Sequence, residues 1–238
     1  MAVLTICDNA GELAERAAAQ VVALASEAVR ARGVAMICLA GGTTPSRTYE
    51  LLASERWRGR IVWERVHLYW SDERHVPPDH KDSNYGMARD ALVMHVPIPA
   101  AHVHRIRGEL PPDEAARLYE RELPARLELL LLGLGEDAHL ASIFPGSPLV
   151  RERRRRVAPV WVPHLKAYRI TLTPPAILAA DRILMLAAGA MKASAVAAAI
   201  DRPTDPDGCP AHLLREAGAR VEWLIDRDAA RDLSSRRV

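Results

Sequence analysis

An aspartate and a histidine two positions apart, Asp137 and His139, lie in the stretch Gly133-Leu134-Gly135-Glu136-Asp137-Ala138-His139, directly after a run of leucines. In an extended segment, residues two apart point the same way. A carboxylate beside an imidazole orients the ring and favours its protonated form. That pairing suits a general base taking a proton from water. A structural histidine held by a neighbouring aspartate is the competing account, and it is the commoner one for an isolated Asp-x-His. The glycine-rich setting at a strand end weighs towards chemistry.

Three further stretches carry polar groups to strand ends. Ala40-Gly41-Gly42-Thr43-Thr44-Pro45-Ser46 follows an apolar run. Gly41 and Gly42 let the backbone turn and approach a ligand, and Thr43 or Thr44 can cap the helix that Pro45 favours. Free N–H groups at a helix start form an anion site, although an ordinary tight turn would look the same. Ser71-Asp72-Glu73-Arg74-His75 places carboxylates and a guanidinium fork together. Asp72 and Arg74 suit a site for sugar hydroxyls and phosphate, or a salt-bridged loop. Gly189-Ala190-Met191-Lys192 turns from strand to helix. Only Lys81, Lys166 and Lys192 are lysines among the 32 basic residues. Lys192 therefore stands out as a compact point charge for a phosphate, against the alternative of a surface helix residue. The polar turn Asp82-Ser83-Asn84-Tyr85-Gly86 reads as a helix cap.

The elements that must position these groups alternate. Strands are expected at Val3–Ile6, Val34–Ala40, Val66–Trp70, Leu129–Leu134, Arg169–Leu172, Arg182–Ala187 and Val221–Ile225. Helices are expected at Ala10–Arg32, Thr44–Ala53, Asn84–Met94, Asp113–Leu123, Met191–Ile200, Pro210–Ala217 and Arg227–Leu233. Asp8 or Asn9 would cap the first helix and Gly33 would stop it. The leucine run is the expected central strand. Ser71–Ser83 and Pro145–Lys166 are expected to be irregular. This rhythm predicts an α/β fold, a mostly parallel sheet with helices on both faces. Ligands then bind at the carboxyl ends of the strands.

The 238 residues fit one large domain or at most two small ones, and a single domain spanning 1–238 is expected. With 49% apolar and 26% charged residues, the balance is that of a globular chain. A net charge of +2 gives no ground for nucleic acid or membrane partners. The run Arg151–Arg156 reads as a solvated charged loop. Cys7, Cys38 and Cys209 are few and far apart, with no metal-ligand spacing, so no metal or cofactor is expected and a reduced, cytoplasmic setting is. No basic segment with a following apolar run opens the chain, and no apolar stretch is long enough to span a membrane.

Together the segments GGTTP (Gly41–Pro45), SDER (Ser71–Arg74), DSNYGMAR (Asp82–Arg89), LLGLGEDAHLASIFPG (Leu131–Gly146), RITLT (Arg169–Thr173) and GAMKA (Gly189–Ala193) resemble the 6-phosphogluconolactonase family. They run in family order over nearly the whole chain. The resemblance implies a Rossmann-like fold of the sugar isomerase type. It also implies hydrolysis of 6-phospho-D-glucono-1,5-lactone to 6-phosphogluconate in the oxidative pentose phosphate pathway. His139 would be the general base with Asp137 beside it. Gly41, Gly42, Thr43, Thr44, Asp72, Arg74, Arg169 and Lys192 would surround the substrate. A monomer or small homo-oligomer is expected.

The chain departs from the family pattern at two places. Ala138 stands where glycine is usual, and it would be strained if the position needs a positive φ. Ala40 replaces a serine, which removes a hydroxyl and keeps the backbone donors. A glucosamine-6-phosphate deaminase or isomerase would share the fold and the Asp-x-His element. It would, however, carry a glutamate after the histidine, where this chain has Ala141-Ser142-Ile143-Phe144-Pro145-Gly146. A non-catalytic sugar-phosphate sensor is the remaining alternative.

Overall fold

Strand and helix alternate through residues 2–234, the part of the chain that the computed structural model describes. The strands are β1 (Val3–Cys7), β2 (Ala35–Leu39), β3 (Val66–Trp70), β4 (Asp72–Arg74), β5 (Leu129–Gly133), β6 (Val157–Val162), β7 (Ala167–Leu172), β8 (Arg182–Ala187) and β9 (Val221–Asp226). The helices are α1 (Ala10–Arg32), α2 (Thr43–Ala53), α3 (Glu55–Arg58), α4 (Asn84–Ala91), α5 (Pro112–Glu122), α6 (Pro174–Leu178), α7 (Ala193–Asp201) and α8 (Arg227–Ala230).

Six strands form a parallel sheet in the order β1-β9-β8-β5-β2-β3. The leucine run lies inside it, between β8 and β2, as expected. Leu129, Leu130, Leu131 and Leu132 are all fully buried. Successive strand residues face opposite ways, so the sheet is covered on both faces.

Helix α1 shows how locally the sequence sets its limits. The Asn9 carboxamide oxygen accepts from the Gly11 and Glu12 amides at 2.9 and 3.0 Å. Gly33 ends the helix in the left-handed region at φ 79°. Leu13, Ala14, Ala17, Ala18, Val21, Ala25 and Ala28 make one buried face. It packs on α2, β2 and β9, the small alanines permitting close approach.

The expectation of irregular chain at Ser71–Ser83 and Pro145–Lys166 needs correction. Both contain strands, and Arg169–Leu172 does not join the parallel sheet. Strands β4, β7 and β6 form a second, antiparallel sheet in that order. Strand β4 is short and charged, so it carries no apolar pattern. Strand β6 holds Pro159, which a sheet tolerates at an edge, and β6 is an edge strand.

Helix ends also differ. The helix from Asn84 stops at Ala91 and gives way to a 3-10 turn, Val93–His95. The segment from Met191 begins in another such turn, Ala190–Lys192. Residues Pro210–Arg220 are 3-10 rather than α-helical, with a break at Gly218. The last helix ends at Ala230 instead of Leu233.

Ser71 joins the two sheets. Its amide donates to Leu39 O of β2 at 2.8 Å, and its carbonyl accepts from Leu172 N of β7 at 2.8 Å. One continuous stretch thus leaves the parallel sheet as β3 and enters the antiparallel sheet as β4.

Candidate active site

Where the two sheets meet, the carboxyl ends of the parallel strands open into a cleft of about 580 Å³. Gly41, Gly42, Thr43, Thr44, Asp72, Arg74, Asp137, His139, Arg169 and Lys192 all line it. The structure therefore brings together every candidate singled out in the sequence.

The floor is fixed by two tyrosines. The Tyr49 hydroxyl accepts from Ala40 N at 2.8 Å and donates to Ala40 O at 2.9 Å, at the end of β2. The Tyr119 hydroxyl does the same for Trp70 at the end of β3, at 2.7 and 2.8 Å. Burial pushes both phenols above their ordinary range. They remain neutral clamps.

Helix α2 starts at the cleft. Neither threonine caps it, contrary to the expectation: Gly42 is the cap residue, at φ 102°, a conformation that suits glycine. The first helical hydrogen bond runs from Ser46 N to Gly42 O. Pro45 has no N–H, so the amides of Thr43 and Thr44 are the donors left without a helical acceptor.

Asp137 and His139 meet through a turn rather than along an extended segment. Ala138 has φ 64°, so the backbone reverses there. Asp137 Oδ1 accepts from His139 Nδ1 at 2.6 Å and from His139 N at 3.1 Å. Burial acts to raise the Asp137 carboxyl, but the hydrogen bond from the His139 ring and the charge of that ring outweigh it and bring it below the ordinary range. With Nδ1 engaged, Nε2 is the ring atom left to accept a proton. Gly135 sits against the ring, and a Cβ there would lie 2.0 Å from His139 Nδ1. The Phe144 ring centroid lies 4.3 Å from that of the imidazole.

Strand alternation sorts the Asp72–Arg74 stretch. Asp72 and Arg74 line the cleft and Glu73 does not. Asp72 is buried, and its carboxylate accepts from Ser142 Oγ at 2.6 Å and Asn84 Nδ2 at 3.1 Å. Glu73 gathers donors from Arg74 N, Ser83 Oγ, Asn84 N and Tyr85 N at 2.7–2.9 Å, fixing the start of α4. Burial raises its carboxyl, and those four donors act against the rise.

Arg74 and Arg169 stand directly opposite each other across the antiparallel pair β4–β7. Arg74 Nη1 donates to Asp82 O, and its buried Nε has no acceptor. Arg169 Nη1 donates to Tyr168 O at 3.2 Å. Burial, and then the charge of Arg74, make the Arg169 guanidinium easier to deprotonate than usual. Neither arginine has a carboxylate partner among the described residues, nor does Lys192. Lys192 follows a turn tied down by the Gly189 amide on the Asp226 carboxylate at 2.9 Å.

The Arg151–Arg156 run lies outside the cleft lining, as the solvated-loop reading expects. Glu152 organises it by accepting from the Arg153, Arg154 and Arg155 amides and the Arg155 side chain. Among the described residues, no group of three His, Cys, Asp or Glu is placed to hold a metal ion. No helix among them is long and apolar enough to cross a membrane. Sequence reasoning did not single out Ser142, Phe144, His164 or Leu165, all of which line the cleft. Ser142 and Phe144 lie within the quoted motif around His139, while the exposed turn at His164–Leu165 carries no motif.

A parallel α/β sheet whose carboxyl edge carries an Asp–His pair, faced by two arginines of a small antiparallel sheet, defines the class of fold and site. Residues 8–223 match the family model described as glucosamine-6-phosphate isomerases/6-phosphogluconolactonase. The chain belongs to that family. It is 39% identical to the 6-phosphogluconolactonase of Mycobacterium tuberculosis, over 94% of this chain and 95% of that protein. The solved structure of 6-phosphogluconolactonase from Trypanosoma brucei superposes with a TM-score of 0.87 at 28% identity, covering 98% of this chain and 99% of that one. A monomeric glucosamine-6-phosphate deaminase has the same fold, with a TM-score of 0.85 at 23% identity over 97% and 99% of the chains.

Proposed function

We propose that this chain is a 6-phosphogluconolactonase, hydrolysing 6-phospho-D-glucono-1,5-lactone to 6-phosphogluconate. The observation that carries the reading is the 2.6 Å contact of Asp137 with His139 Nδ1, in a cleft whose other wall holds Arg74 and Arg169. Asp137 fixes the tautomer, so that Nε2 takes a proton from water. The water oxygen attacks the lactone carbonyl carbon. Backbone N–H groups of the Gly41–Gly42 loop stabilise the oxyanion that forms. The ring C–O bond then breaks, and His139 returns its proton to the leaving oxygen. Arg74, Arg169, Lys192 and the Thr43 and Thr44 amides hold the phosphate, which positions the ring. Asp72 repels a phosphate, so its place is with the sugar hydroxyls and with Ser142.

The deaminase reading is less well supported. The segment after His139 gives Ala141, Ser142 and Phe144 to the cleft, none of them an acid. Among the described residues, most of the buried apolar side chains fall in one cluster, which supports the reading of a single domain over 1–238. A cytoplasmic location and a monomer or small homo-oligomer complete the proposal.

Proton release from freshly prepared 6-phosphoglucono-1,5-lactone, measured against the spontaneous rate, tests it. Wild type should turn over, and His139→Ala should lose roughly 10²–10⁴-fold in kcat/KM. Equal rates in the two proteins would sink the role of His139. No turnover by wild type, with ammonia released from glucosamine-6-phosphate, would favour the deaminase.

A further inference from the structure

Asp137 holds His139 by one ring nitrogen, which leaves the tilt of the imidazole to be set by its faces. Phe144, the sole phenylalanine in the sequence, meets it at a centroid distance of 4.3 Å with planes 38° apart. The Phe144 ring is itself met edge-on by His164, at 5.4 Å and 75°. His164 lies at the tip of the β6–β7 hairpin, in the 3-10 turn Pro163–Leu165. Lys166, at φ 46°, closes that turn and leads into β7. Trp161 and Tyr168, paired in register across the hairpin, contact each other at 5.0 Å and stiffen the stem.

We propose that His164 is a positioning residue, bracing Phe144 against His139 and so fixing the angle at which Nε2 faces the substrate. The inference deepens the lactonase reading and rests on His139 being its base. The bracing needs a flat ring at position 164 and no titratable nitrogen. His164 is exposed, and its ring makes no hydrogen bond among the described residues. Its contact is with Phe144 alone among the aromatic rings. The arrangement divides the labour: the parallel sheet supplies the Asp137–His139 pair, and the antiparallel sheet sets its tilt through the hairpin tip.

The test compares His164→Ala and His164→Phe with wild type. The exposed position lets both fold. In lactone hydrolysis, His164→Ala should lower kcat roughly 3- to 10-fold with KM within about twofold, because misplaced groups cost rate rather than binding. His164→Phe should restore kcat and keep the wild-type pH profile. An unchanged kcat in His164→Ala would overturn the proposal. So would an alanine-like kcat in His164→Phe, or loss of the alkaline limb of its pH profile, which would make His164 a proton donor. Exchange of the His139 Nδ1 proton, followed by NMR, reads the same brace without substrate. It should be faster in His164→Ala than in wild type and His164→Phe. Faster exchange together with no lactone turnover by wild type would sink the lactonase reading and keep the brace. Unchanged exchange would sink the brace itself.

Discussion

At position 138 this chain places a methyl group where the backbone runs left-handed, at φ 64°. That conformation costs an L-residue ~1–2 kcal/mol. Against this, the Ala138 methyl is buried, at 3% exposure, and burying a methyl returns ~0.8 kcal/mol. Alanine also has less freedom to lose on folding than glycine, a difference of ~0.4–1 kcal/mol. The opposing effects are of equal size. Ala138→Gly should therefore shift stability by less than ~1 kcal/mol in denaturant unfolding and leave kcat/KM within about twofold. A large gain in either would mean that the turn is held under strain. The need for a left-handed residue was legible from the sequence only as a condition, because nothing local says that Asp137 and His139 meet through a turn. The identities of the facing groups were legible, since Asp, His, Arg and Lys at strand ends advertise their chemistry. Phe144 and His164 were not, because ring-to-ring contact between distant segments leaves no spacing to read.

Among the elements, the parallel strands and the helices between them were legible because each carries an apolar run or a clear cap. The antiparallel sheet was not, because β4 is charged and β6 contains a proline. Pairing between segments far apart in sequence creates that sheet, and no local pattern records it. Of the two tyrosine clamps, that of Tyr119 on Trp70 is a distant contact of the same kind, while Tyr49 lies only nine residues from Ala40. Tyr49 from α2 and Tyr119 from α5 each satisfy both backbone groups at the end of a strand that forms the cleft floor. Tyr49→Phe leaves the buried Ala40 amide without an acceptor. It should lower stability by about 1–3 kcal/mol, read as a fall in the denaturant midpoint. Catalysis should suffer too, because the Gly41–Gly42 loop begins there. A midpoint within error of wild type would show that the strand end does not need the clamp.

Taken whole, the molecule brings Arg74, Arg169 and Lys192 to one cleft with no direct ion pair to any of them among the described residues. Like charges directly opposed across a strand pair are destabilising, and Arg74 and Arg169 are so placed. An anion between them relieves that repulsion. Inorganic phosphate should therefore raise Tm, by an amount equivalent to ~2.7 kcal/mol at a hundredfold excess over Kd. The rise should shrink in Arg169→Met. A Tm insensitive to phosphate in wild type would argue against an anion site at this wall. The backbone junction at Ser71 has a consequence for how such a ligand comes and goes. Because one residue is hydrogen-bonded into both sheets, moving the walls apart as two lobes do would break both of those bonds. A wall tied in this way favours a mould cast before its contents arrive over a hand that closes around them.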